Sequence, residues 1–118
     1  MKKIIKAVSL FSSAGIGELR LPENIEVVVA NELLKPRAEC YRFFYPTTNM
    51  ICGDITSNGV KEQLINIAQH EGCKLLIATP PCQGLSTLGK NKRQKQYEND
   101  RRNFLILEVF DVIDACDF

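Results

Sequence analysis

Strand-like and helix-like segments alternate along this chain, and that alternation limits the folds open to it. Residues 6–11 carry Ala7, Val8, Leu10 and Phe11 and read as a short buried strand. Ile25 to Ala30 reads Ile-Glu-Val-Val-Val-Ala, the β-branched run that strands favour, and Asn31 and Glu32 close it. Residues 49–52 and 73–79 supply a third and a fourth strand. Between them lie helical patterns. A short helix follows the first strand and must end before Pro22. Pro36 suits the first turn of a second, which carries Ala38, Tyr41, Arg42, Phe44 and Tyr45 and stops at Pro46. Ser57 or Asn58 caps a third, in which Val60, Leu64, Ile67 and Ala68 recur at helical spacing before Gly72. Phe104, Leu105, Leu107, Phe110 and Ile113 make a last helical face. The order predicts an α/β fold, a doubly wound parallel sheet with helices on both faces. The strands read as continuous apolar runs, as doubly covered strands do.

Composition excludes several classes. With 118 residues the chain is one domain by size, and 45% hydrophobic with 25% charged residues is ordinary for a globular protein. A net charge of +1 creates no global field toward nucleic acid or membrane. No apolar run approaches the ~20 residues of a bilayer span, and no signal-peptide core follows the basic start. Five cysteines, an odd number without a Cys-x-x-Cys pair, and a single histidine suggest neither a disulfide framework nor a metal site. Reduced thiols in a cytoplasmic protein account for them.

The chemistry gathers just past the strands. In open α/β sheets ligands collect at the carboxyl ends of the strands. After the first strand comes Ser12-Ser13-Ala14-Gly15-Ile16-Gly17, a small-residue turn that lets backbone approach a ligand. Glu32 ends the second strand, close to where an acidic residue holds the ribose hydroxyls of a nucleoside cofactor. Asp54 ends the third, where a carboxylate can accept from an adenine amine or simply form a turn. The fourth strand runs into Thr79-Pro80-Pro81-Cys82-Gln83-Gly84-Leu85-Ser86, and its prolines cannot join a sheet ladder. A thiol therefore follows a strand end directly. Residues 83–102 lack an apolar period, hold Lys90, Lys92, Arg93, Lys95, Arg101 and Arg102, and read as a long basic loop.

In this order, Phe11 to Gly17, Asn31-Glu32, Gly53-Asp54-Ile55 and Pro80-Pro81-Cys82-Gln83-Gly84-Leu85-Ser86 resemble the first four motifs of the DNA (cytosine-5) methyltransferases. Asp100 to Leu105 resembles the segment after that family's catalytic loop. The resemblance implies a Rossmann-like, S-adenosylmethionine-dependent fold. Phe11, Ser12, Ala14, Gly15, Ile16 and Gly17 would cradle the cofactor, with Glu32 on its ribose, Asp54 and Ile55 at its adenine, and Leu33 and Pro80 beside it. Cys82 would be the nucleophile. A thiolate adding at carbon 6 of a flipped cytosine makes carbon 5 able to attack the methyl group. Gln83, Ser86, Lys90, Lys92 and Arg93 would contact duplex DNA. A bacterial restriction–modification system is the implied setting.

Two departures accompany the resemblance. Ser13 stands where the family often has glycine, and Gly17 lies one residue later than the usual glycine pair. The family's later Glu-Asn-Val element, arginine motif, target-recognition region and closing helix have no counterpart in residues 1–118. The expectation is the amino-terminal part of a catalytic domain, with its Cys loop at 80–102. It would be incomplete on the carboxyl-terminal side and inactive alone. It would require the missing part or a second subunit, or self-associate through an open edge at the fourth strand. A non-catalytic S-adenosylmethionine-binding module and a split methyltransferase subunit are the alternatives. A nicotinamide-dependent half-domain leaves Pro-Pro-Cys-Gln without a role.

Overall fold

A computed structural model describes residues 2–80 and 104–118. Four strands, β1 (Ile5–Leu10), β2 (Ile25–Glu32), β3 (Asn49–Cys52) and β4 (Leu75–Ala78), form one sheet in the order β3-β2-β1-β4. Every pairing is parallel. The doubly wound reading therefore holds, and the strand order reverses between β1 and β4, the place where such sheets open a crevice.

Among the described residues, three helices flank the sheet: α1 (Lys35–Phe44), α2 (Asn58–Glu71) and α3 (Ile106–Cys116). Alternation along β2 divides the core between the two faces. Val29 packs with Val8, Leu10, Ile51, Leu64, Val109 and Val112, joining the sheet to α2 and α3. Ala30, one residue on, packs with Ala38, Tyr41 and Met50 under α1. Lys61 of α2 bonds Asp111 of α3 at 2.8 Å and also pairs with Glu108, fastening the two helices across their rim. Gly72 ends α2 at φ 70°, as its position in the pattern predicts.

Three details differ from expectation. The helix after β1 shrinks to a single 3₁₀ turn, Ile16–Glu18, because left-handed Gly15 precedes it and Pro22 soon follows. β2 continues through Glu32, since Asn31 and Glu32 pair with Ile51 and Cys52 of β3. On α3 the packed stripe is Val109, Val112, Ile113 and Cys116, at i, i+3, i+4 and i+7. Phe104, Leu107 and Phe110 are more than half exposed. α3 thus carries two apolar stripes, and the sheet takes the β-branched one. No helix among the described residues is long and apolar enough to cross a membrane.

Candidate functional site

The carboxyl ends of the strands converge on one cleft of about 380 Å³, bordered by Phe11, Glu32, Leu33, Asp54, Ile55 and Thr79 among others. From the turn after β1, Phe11 and Ser13 line it. Phe11 and Ser13 both adopt left-handed backbone, at φ 54° and 53°, and Gly15 does so at φ 88°. A left-handed residue with a Cβ costs ~1–2 kcal/mol, and such strain gathers at functional sites. Ser13→Gly is expected to raise stability by up to ~1 kcal/mol, strain relief exceeding glycine's entropy, as read from the urea midpoint.

The turn is held from every side. Ser12 N–H donates to the Asn31 carbonyl at 3.1 Å, and Gly15 N–H donates to the Ser12 carbonyl at 2.9 Å. The Tyr45 hydroxyl reaches from the end of α1 and donates to the Gly15 carbonyl at 2.6 Å. A Cβ on Gly15 would overlap the Tyr45 ring and meet Tyr41 Cδ2 at 3.1 Å. Thr79, just past β4, donates its hydroxyl to the Phe11 carbonyl at 3.1 Å, tying the two strand ends together.

Glu32 is 6% exposed yet has no ion pair among the described residues. Its carboxylate accepts from Ser13 N–H at 3.0 Å and from Leu34 N–H at 2.7 Å. Two amide bonds stabilise a buried charge and leave each oxygen lone-pair capacity for ligand hydroxyls. Asn31 gives its side-chain amide to the Ile51 and Gly53 carbonyls at 2.7 and 3.0 Å, locking β3 to β2 where the cleft opens. Asp54 Oδ1 accepts from Thr56 N–H at 2.9 Å and from its hydroxyl at 2.7 Å, which sets the turn before α2.

A family model for C-5 cytosine-specific DNA methylases matches residues 5–117. The chain belongs to the C-5 cytosine-specific DNA methylase family. It is also 47% identical over 114 residues to a type II methyltransferase, M1.HgaI, of Avibacterium volantium. That match covers 96% of this chain and 32% of the relative, so the chain spans about a third of the relative's length.

Of the residues that family resemblance assigned to the cofactor, Phe11, Glu32, Leu33, Asp54 and Ile55 border the cleft. Ser12, Ala14, Gly15, Ile16, Gly17 and Pro80 do not. Ser12 and Gly15 are buried behind the turn, and Ile16 is 73% exposed. Sequence reasoning missed Ser13, Asn31, Leu34, Arg37, Gly53, Thr79 and Leu105 as cleft residues. Ser13, Asn31 and Gly53 adjoin assigned residues and were within reach of a wider window. Arg37, which no motif marks, and Leu105, which ends the Asp100–Leu105 segment without a cofactor role assigned to it, reach the cleft by tertiary packing. Cys82 and the DNA-contact candidates Gln83, Ser86, Lys90, Lys92 and Arg93 lie outside the described residues.

The cleft suits an adenosine-bearing cofactor by its volume, its apolar walls and an amide-held carboxylate in its lining. The described thiols differ in reactivity. Cys73 is 2% exposed, and burial pushes its thiol up to about 11. Burial also raises the half-buried Cys116 thiol. Iodoacetamide at neutral pH is expected to modify Cys40 and Cys52 before Cys73, as peptide mass mapping over time would show.

Proposed function

We propose that this chain is the cofactor-binding and nucleophile-bearing part of a DNA (cytosine-5) methyltransferase of a bacterial type II restriction–modification system, working in the cytoplasm on duplex DNA. The observation that carries the proposal is the shared cleft of Glu32, Asp54, Ile55 and the strained β1 turn at the point where strand order reverses. S-adenosylmethionine, when bound, supplies an electrophilic methyl group on a sulfonium.

The chain's own residues have distinct tasks. Glu32, pre-held by two amides, accepts from the ribose hydroxyls. Asp54 and Ile55 border the adenine, and Leu33 supplies an apolar wall. Cys82 adds as thiolate to carbon 6 of a flipped cytosine and later leaves by elimination. Gln83, Ser86, Lys90, Lys92 and Arg93 hold DNA from the same loop. Methyl transfer also needs polypeptide corresponding to the rest of the relative. Its docking side is β4, the terminal strand of the sheet among the described residues.

Calorimetry with S-adenosylmethionine tests the reading. The chain is expected to bind it, and Glu32→Ala to weaken binding by at least ~tenfold through lost ribose bonds and loss of the Ser13 and Leu34 anchors. Absence of binding, or binding indifferent to Glu32, overturns it. Binding without methyl transfer, even after the complementary polypeptide is added, points to a non-catalytic cofactor module.

A further inference from the structure

Glu18 is the other buried acid among the described residues, and the cleft makes no use of it. It ends the 3₁₀ turn and is 8% exposed. Three close contacts connect it to the cofactor turn. Glu18 Oε1 lies 2.9 Å from Ser9 Oγ, and Ser9 Oγ lies 2.8 Å from Ser12 Oγ. Ser12 Oγ in turn lies 3.0 Å from the Ser9 carbonyl oxygen.

For each contact to be a two-centre hydrogen bond, it needs its own proton. The two serine hydroxyls supply two, and a carboxylate supplies none. A carboxylic acid completes the set: Glu18 donates to Ser9, Ser9 to Ser12, and Ser12 to the carbonyl. The surroundings agree. Glu18 Oε2 is buried facing the buried Tyr41 hydroxyl, without a hydrogen bond of standard geometry. Tyr41 of α1 and Tyr45 just after it are the titratable groups facing Glu18 from that side, and neither brings positive charge. Burial raises the Glu18 carboxyl above its ordinary value, outweighing the lowering influence of the nearby Ser9 and Tyr41 hydroxyls.

We propose that Glu18 is a positioning residue of the cofactor turn and acts as a neutral carboxylic acid donating to Ser9. Through Ser12 it sets the carbonyl that receives Gly15 N–H, and so the path of the turn's backbone. The inference rests on the cofactor reading of that turn.

Hydrogen exchange on the full chain tests it without any cofactor. The Ser13 and Gly15 amides are expected to exchange about tenfold faster in Glu18→Ala, the scale of one lost hydrogen bond, and in Ser9→Ala. They should stay near wild type in Glu18→Gln, whose amide N–H replaces the acid proton. Equal acceleration in Glu18→Gln overturns the neutral-acid role, and unchanged exchange in Ser9→Ala overturns the positioning role. Should Glu18→Ala not fold, these two variants carry the test. Stability against pH gives a second readout. A raised folded pKa means that the Glu18 contribution is full below about 4.5 and is lost as pH rises through the folded value. Glu18→Gln should therefore gain on wild type as pH rises, and the opposite trend overturns the proposal. S-adenosylmethionine affinity should fall about tenfold in Ser9→Ala. A wild-type chain that binds none counts against the functional reading, while exchange and pH still decide the role of Glu18.

Discussion

Replacing Gly15 with alanine is expected to destabilise the fold by about 3 kcal/mol, the sum of a left-handed backbone penalty and an overpacked contact. Both terms have named sources. Gly15 sits at φ 88°, and an added Cβ would overlap the Tyr45 ring. Tyr45 cannot simply swing aside, because its hydroxyl is anchored 2.6 Å from the Gly15 carbonyl and its ring stacks on Tyr41 at 4.7 Å. The measurement is a urea midpoint with the slope unchanged. Combining Gly15→Ala with Tyr45→Ala should recover the steric share and leave the backbone share, a coupling of ~1 kcal/mol or more. A single-variant cost under ~1 kcal/mol would mean that the ring yields freely.

The second large effect is expected at Cys82. On duplex DNA carrying 5-fluorocytosine, the thiolate adds at carbon 6 and carbon 5 takes the methyl group. Elimination of the thiol then requires loss of a proton from carbon 5, and fluorine occupies that place, so the protein stays covalently attached. With S-adenosylmethionine and a polypeptide covering the remainder of the relative, the chain should give an adduct stable on a denaturing gel. Cys82→Ser should give none. Cys73→Ser should still give it, since Cys73 is buried with its thiol held near 11. Trapping that survives in Cys82→Ser would refute the assignment of the nucleophile.

Much of the fold was legible because its signals are local. The β-branched run of β2, Pro36, Pro46 and Gly72 each carry their meaning within a few residues. The site was legible where a motif names a side chain, as for Glu32 and Asp54. What escaped depends on neighbours distant in sequence. The Asn31–Glu32 extension of β2 follows from pairing with β3, and the choice of stripe on α3 follows from the sheet it meets. Arg37 and Leu105 reach the cleft only after the chain has folded. The proton count at Glu18 needs distances that no pattern of residue types contains.

The Tyr41–Tyr45 stack has an optical consequence. The chain has no tryptophan and three tyrosines, so its intrinsic emission is tyrosine emission. Two of those fluorophores stand against the Gly15 peptide. A loosening confined to this turn should therefore change emission intensity while the backbone circular dichroism stays constant. Ligand-induced ordering could be followed in unlabelled protein.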